Sequence, residues 1–188
     1  MKMQAGAARF GAKTKFAEVI DCQLEGHIKQ IITAKATFLT RTVVIATGAT
    51  PRALGLENEE SLIGRGLHYC AHCDGRFYQN KTVIVVGGGN SAAADAMYLS
   101  NLAKKVYLVH RRDSLRATKV YHEPLMRAEN VEFIWNSVVS NFIIEERLTG
   151  IHVKNVIEGT VSEIKADGLF VSIGRDPASA LFAKQIHV

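Results

Sequence analysis

Cys70-Ala71-His72-Cys73 sets two sulfurs within reach of a disulfide across a single turn, and Asp74 follows immediately. If the first cysteine starts a helical turn, the local dipole raises the thiolate fraction, and the thiolate is the species that performs thiol–disulfide exchange. An adjacent carboxylic acid can then donate or accept the proton that the exchange requires. Cys70, Cys73 and Asp74 are therefore the candidate catalytic residues. The competing chemistry is metal binding, since His68, Cys70, His72 and Cys73 are all potential zinc ligands. Structural zinc sites usually pair one C-x-x-C with a distant second ligand pair, and no such pair is obvious, so no metal site is assigned. His68 and His72 read as loop residues, and Cys22 as a small buried or half-buried thiol.

A second constellation begins fourteen residues after Cys73, where Gly87-Gly88-Gly89-Asn90-Ser91-Ala92 fits G-x-G-x-x-A behind the apolar run Thr82 to Val86. In a dinucleotide-binding turn Gly87 allows the tight turn, Gly89 lets backbone approach a pyrophosphate, and Ala92 permits close helix–strand packing. The helix that opens at Asn90 and Ser91 offers free N–H groups and a partial positive charge to phosphates. About twenty residues on, where an NAD-binding unit places a carboxylate against the ribose, stand His110, Arg111 and Arg112, with Arg116 close behind. Guanidinium forks grip a 2′-phosphate that a carboxylate would repel, so the cofactor is expected to be NADPH, not NADH. Asp113 is the one residue that argues the other way. The plain alternatives are a strand–turn–helix without ligand and a solvated basic loop.

These residues need elements to position them. Met1 to Lys15 is alanine-rich and helix-like, and Phe16 to Thr42 alternates as a strand meander would. Thr42 to Ala46 is expected to be a buried strand running into Thr47-Gly48-Ala49, with Pro51 and Gly55 as breakers and a domain boundary near residue 53. After the cysteines come a strand (Thr82 to Val86), a helix (Ser91 to Leu102), a strand (Lys105 to Val109), a helix (about Thr118 to Ala128) and a strand (Val131 to Trp135). Strands alternating with helices indicate parallel β-α-β units. From Ser137 to Glu163 the signals turn antiparallel, with a hairpin turn expected at Leu148-Thr149-Gly150, and Gly168 to Ile173 is a final apolar strand.

Bulk properties set outer limits. The 188 residues are 47% hydrophobic with a mean hydropathy near zero, which fits a globular chain with a real core. No apolar run approaches a bilayer span and the N-terminus has no signal-peptide core, so a cytoplasmic location is expected, where a C-x-x-C means redox chemistry or metal. The formal charge of +5 owes much to the cluster around His110, which reads as a local anion site. Without aromatic residues interleaved as stacking platforms, nucleic-acid binding ranks low.

Taken together, Ala46-Thr47-Gly48-Ala49, the Cys70 to Gly75 run, the Gly87 to Ala92 turn, His110 to Ala117 and Gly168 to Arg175 resemble bacterial-type thioredoxin reductases in order and spacing, over nearly the whole chain. The resemblance implies an α/β fold. Residues 53–173 would be a Rossmann-like NADPH-binding domain with a parallel sheet, helices, a small antiparallel meander and the redox C-x-x-C. Residues 1–52 and 174–188 would be parts of a FAD-binding domain. By the same resemblance NADPH, held by the turn, by His110, Arg111, Arg112 and Arg116 and by Gly174, passes hydride to FAD, which Thr47, Gly48 and Ala49 would help to hold. The reduced flavin opens a Cys70–Cys73 disulfide with Asp74 as the acid, and the dithiol reduces thioredoxin. A homodimer that alternates between two domain arrangements is implied, with hinges near Ala49 to Leu56 and Gly174 to Ala178. His72 departs from the usual Thr and is shared with alkyl hydroperoxide reductase flavoprotein subunits, the second reading. A non-enzymatic NADP-binding or zinc-binding module is the third. The flavin-binding G-x-G-x-x-G that opens complete members has no counterpart, and their later Gly-Asp motif does not occur before Val188. The expectation is thus a chain truncated at both ends that holds NADPH, binds FAD poorly and is inactive alone.

Overall fold

A computed structural model describes residues 2–186, which divide into two units: residues 50–176, and residues 2–49 together with 177–186. The smaller unit opens with helix α1 (Lys2–Arg9) and continues into strands β1 (Val19–Gln23), β2 (Lys29–Thr33) and β3 (Thr37–Thr40), paired antiparallel in that order. Cys22 is buried on β1 with its Sγ 3.5 Å from the Leu181 carbonyl, the structural thiol expected of it. The Gln185 side chain closes the strand end, donating to the Cys22 carbonyl at 2.8 Å and accepting from the Leu24 N–H at 2.6 Å.

The strand expected at Thr42 to Ala46 does not form: residues 42–48 carry no regular structure, and Val44 is 91% exposed. β-branched composition favours extension, but a strand also needs a neighbour to satisfy its N–H and C=O groups. Thr42 to Ala46 join no ladder among the described residues. The chain next enters β4 (Ala49–Pro51), then helix α2 (Glu59–Leu62), strand β5 (Leu67–His68) and helix α3 (Ala71–Asp74). Glu59 opens α2 as a buried carboxylate with four partners. It accepts from the N–H groups of Leu54 and Gly55 at 2.8 Å and of Leu56 at 3.4 Å, and from the Tyr69 hydroxyl at 2.8 Å. Burial first, then Glu59, pushes the Tyr69 phenol upward, so it stays a donor.

The alternating stretch follows as read: β6 (Thr82–Val86), α4 (Asn90–Ser100), β7 (Lys105–Val109), α5 (His122–Arg127) and β8 (Val131–Ile134). The expected helix from Thr118 begins as a 3-10 turn, Lys119–Tyr121, ahead of α5. Strands β9 (Ser137–Ile144), β10 (Leu148–Asn155) and β11 (Val161–Lys165) form an antiparallel meander, and β12 (Gly168–Val171) leads to β13 (Arg175–Pro177), which pairs with β4. The hairpin turn expected at Leu148-Thr149-Gly150 lies instead at residues 145–147, and those three residues open β10. Gly150 serves close approach, since a Cβ there would meet the Ile164 carbonyl oxygen at 2.6 Å.

The five strands β5-β12-β6-β7-β8 make one parallel sheet buried on both faces, which is why Thr82 to Val86 is a continuous apolar run. Val83, Val85, Val106, Leu108 and Phe170 pack against Ala92, Ala93, Ala96 and Leu99 of α4 and Leu125 of α5. Ile84, Val86, Val109, Leu169 and Val171 face the meander through Val139, Phe142, Ile151 and Val153. Burying each such side chain contributes about 1.5–3 kcal/mol of transfer free energy, so the sheet is the rigid base on which the site stands.

Candidate active site

β5 delivers the dithiol. Its pairing with β12 fixes Leu67 and His68, and Tyr69 leads to Cys70, which caps α3 in extended conformation. Cys70 and Cys73 are joined by a disulfide with their Cα atoms 5.3 Å apart. The Cys73 N–H donates to Cys70 Sγ at 3.1 Å, and the Asp74 N–H to the Cys70 carbonyl at 3.1 Å. Cys73 is the exposed member of the pair and Cys70 the half-buried one.

The turn is seated against the flank of α4. His72, read as an idle loop residue, stacks on the Tyr98 ring at 4.4 Å and 18°, with Nδ1 3.7 Å from Asp95 Oδ1. Asp95 also accepts a short hydrogen bond from the Ser172 hydroxyl. Burial raises its pKa, opposed by the Ser172 bond and by charge on His72. Gly75 permits the approach, because a Cβ there would lie 2.9 Å from the Tyr98 ring. On the other side Asp74 Oδ2 is 3.1 Å from His68 Nδ1, and His68 Nε2 is 2.7 Å from the Tyr78 hydroxyl.

The glycine turn joins β6 to the N-terminus of α4, and its three glycines do different work. Gly87 has φ +146°, and a Cβ on it would fall 2.3 Å from the Ser172 carbonyl oxygen and 2.7 Å from Ala92 Cβ. Gly88 lies over the His110 ring, which a Cβ would meet at 2.2 Å. Gly89 has nothing within 4 Å of a Cβ position and caps α4 in extended backbone, so its face is open at the helix N-terminus. That open face beside free N–H groups suits a pyrophosphate.

The basic loop after β7 is tied back to this turn. The N–H groups of Arg116 and Ala117 donate to the Gly88 carbonyl at 2.7 and 3.1 Å, and the Thr118 N–H donates to Asn90 Oδ1 at 2.7 Å. Arg111, Arg112 and Arg116 are exposed around it, and Asp113 is turned to the Ser114 hydroxyl at 3.0 Å. His110 is separated from the arginines it was grouped with: it is buried, with Nε2 unpartnered, and burial first, then Arg116, Arg112 and Arg111, lowers its pKa so that it is neutral. Asn90 serves the loop, while Ser91 is exposed in the first turn of α4.

The remaining site candidates lie elsewhere. The Gly174 carbonyl accepts from the Arg52 N–H at 3.0 Å, and Arg52 pairs with Asp176. Thr47 Oγ1 donates to the Ala178 carbonyl at 2.7 Å, and the Gly48 carbonyl accepts from the Ala178 N–H at 3.0 Å; Ala49 opens β4. Among the described residues no three His, Cys, Asp or Glu side chains gather as a metal site, and no helix is long and apolar enough to cross a membrane. Sequence reasoning weighed His68 only as a zinc ligand and passed over Tyr78, Asp95 and Tyr98. Only Asp95 had a visible signal, a carboxylate in the otherwise apolar stretch Ala92 to Met97.

Comparison with known proteins adds an independent line. Residues 3–188 match the pyridine nucleotide-disulphide oxidoreductase family. A thioredoxin reductase of Streptomyces coelicolor is 40% identical over 187 residues, covering 99% of this chain and 58% of that protein. One from Listeria monocytogenes is 39% identical over 182 residues, 96% of this chain and 57% of its own length. Among solved structures, Lactococcus lactis thioredoxin reductase superposes with a TM-score of 0.83 at 35% identity, covering 98% of this chain and 61% of that one. The chain thus spans a little under three-fifths of the length of the curated relatives it matches.

Proposed function

This chain belongs to the pyridine nucleotide-disulphide oxidoreductase family, and from that premise we propose that it supplies the NADPH-binding and dithiol part of a thioredoxin-disulfide reductase. One observation carries the reading. Helix α4 begins at the glycine turn and holds the dithiol turn on its flank through Tyr98 and Asp95. A helix advances about 12 Å between Asn90 and Tyr98, so a nucleotide cradle and a redox disulfide share one short rigid element.

The roles follow from placement. The pyrophosphate would lie over Gly89 at the helix N-terminus, with Ser91 in the first turn, while Gly87 and Ala92 permit the close packing beneath and Asn90 secures the loop. Arg111, Arg112 and Arg116 would hold the 2′-phosphate with charge-assisted bonds, and neutral His110 supports the turn from below. At the dithiol, two electrons cleave the Cys70–Cys73 bond, and Asp74 would give a proton to a departing sulfur. The exposed Cys73 and half-buried Cys70 would then reduce the disulfide of a thioredoxin-like partner by exchange.

Between nucleotide and dithiol the family resemblance supplies a flavin, which when bound takes up hydride and passes on electron pairs. The described residues offer one Gly-x-Gly turn that joins a strand to a helix, Gly87 to Gly89, and it is suited to the nicotinamide dinucleotide. Thr47, Gly48 and Ala49 form no second cradle of that kind. The chain is therefore expected to bind NADPH and not to hold FAD stoichiometrically.

Titrating the chain with NADP⁺, NAD⁺ and FAD by calorimetry tests this. NADP⁺ should bind at least about tenfold more tightly than NAD⁺, given arginine forks on the extra phosphate. A preference for NAD⁺ would instead favour a peroxide-reducing flavoprotein subunit, and stoichiometric FAD uptake would show the flavin site misjudged.

A further inference from the structure

Behind the dithiol lies a buried histidine that the proposed function leaves unused. His68 is 8% exposed, with Nδ1 3.1 Å from Asp74 Oδ2 and Nε2 2.7 Å from the Tyr78 hydroxyl, and Arg147 Nη2 donates to that hydroxyl at 3.4 Å. One proton arrangement satisfies all three bonds in a single sense. The guanidinium donates to the phenol oxygen, the phenol O–H donates to Nε2, and Nδ1–H donates to Asp74 Oδ2, which accepts it both while Oδ1 carries the carboxyl proton and after that proton has gone. Both rings are confined. His68 stacks on Phe170 at 5.3 Å and 26°, Tyr78 meets the same ring edge-on at 5.4 Å, and Gly168 leaves room for Tyr78 only because it lacks a Cβ, which would fall 2.3 Å from the ring.

The charges around this pair are Asp74 on one side and Arg147, Lys81, Arg65 and Asp167 on the other. Lys81 Nζ lies 5.6 Å from the Tyr78 ring centroid, and the Arg147 guanidinium also holds the Asp167 carbonyl at 3.0 Å. Arg65, Lys81 and Arg147 line a cavity of about 350 Å³ that His68 and Tyr78 also wall.

We infer that His68 is a positioning residue for Asp74, holding its carboxyl beside the dithiol and linking it through Tyr78 to the basic cavity. The inference rests on the reading of Asp74 as proton donor. In exchange with a dithiol reductant, a reductant thiolate attacks one sulfur of the Cys70–Cys73 pair. A mixed disulfide forms, the S–S bond breaks, and the other sulfur leaves as a thiolate that takes the proton from Asp74. The second reductant thiol then resolves the mixed disulfide and leaves the protein dithiol and an oxidised reductant. The His68 Nδ1–H stabilises the Asp74 carboxylate once its proton has gone.

The test is the rate of reduction of the 188-residue chain by dithiothreitol, followed by thiol trapping across pH 5 to 9, for wild type, D74N, H68F, H68Q, Y78F and the H68F/D74N double variant. D74N should slow the reaction by about 100-fold, the scale of a lost general acid. H68F, which keeps a ring against Phe170, should slow it about tenfold and displace the pH profile, as fits one lost bond to a charged group. Y78F should displace the profile in the same direction, H68Q should recover part of the rate, and H68F should add nothing to D74N. H68F at wild-type rate and profile beside a slow D74N would overturn the inference alone, as would an undiminished effect of H68F in the D74N background. An unaffected D74N would remove the acid role itself, and the inference with it.

Discussion

The imidazole of His110 occupies the space that a side chain on Gly88 would need: a Cβ there would lie 2.2 Å from its Cε1. The histidine follows β7 and the glycine follows β6, so two adjacent strands are locked where the glycine turn begins. The ring can lie so close beneath the turn because Gly88 has no Cβ, and burial and three nearby arginines disfavour its charged form there.

Gly88→Ala should therefore cost about 1–3 kcal/mol of stability through overpacking and weaken NADP⁺ binding by disturbing the loop hung on the Gly88 carbonyl. Gly89→Ala should cost no more than about 1 kcal/mol, the loss of a glycine N-cap at a position where a Cβ meets nothing, yet lower NADP⁺ affinity at least about tenfold by crowding the phosphates. Thermal unfolding and calorimetry separate the two. Normal binding by the Gly89 variant would place the pyrophosphate elsewhere.

Alanine at Arg111, Arg112 or Arg116 should weaken NADP⁺ by about tenfold at each arginine that bonds the 2′-phosphate, and leave NAD⁺ affinity unchanged. The NADP⁺ affinity of the wild type should also fall with added salt. Equal losses for both dinucleotides would assign the arginines to the shared pyrophosphate.

His110 should make stability depend on pH. Its folded pKa lies below the unfolded value of 6.5, so below that value the unfolded chain binds a proton that the folded chain does not. Stability should fall as pH drops from about 6.5 toward the folded pKa and be flat above, as far as this residue contributes. The difference in melting temperature between wild type and His110→Phe, measured from pH 5 to pH 8, isolates that contribution. A constant difference would mean that the imidazole titrates alike in both states.

Glu59→Gln replaces a buried acceptor of four hydrogen bonds with a group that both donates and accepts, and should cost about 2–3 kcal/mol in urea unfolding. Tyr69→Phe removes one of those bonds and should cost about 1 kcal/mol. A Glu59 variant as stable as wild type would show that the loop from Leu54 to Leu56 is held by packing alone.

What the sequence announced was local in origin. The run Thr82 to Val86, the glycine turn and the arginine cluster each carry their signal in consecutive residues, and each appears where it was expected. The C-x-x-C was legible for the same reason. The misreadings share a different origin. Thr42 to Ala46 has strand composition but joins no ladder, and Gly150 answers to Ile164 on another strand. His68 looked idle because its partners lie six and ten residues away on a turn whose path only the packed structure defines.

Because α4 carries the glycine turn at its head and the disulfide on its side, the two are indexed to each other like marks on one shaft. The spacing between them cannot adjust while the helix stays whole. If the turn holds the nucleotide as proposed, a third component that must face it and then the sulfurs would have to exchange its seat against the entire block, and the separation along α4 would set how far it must travel.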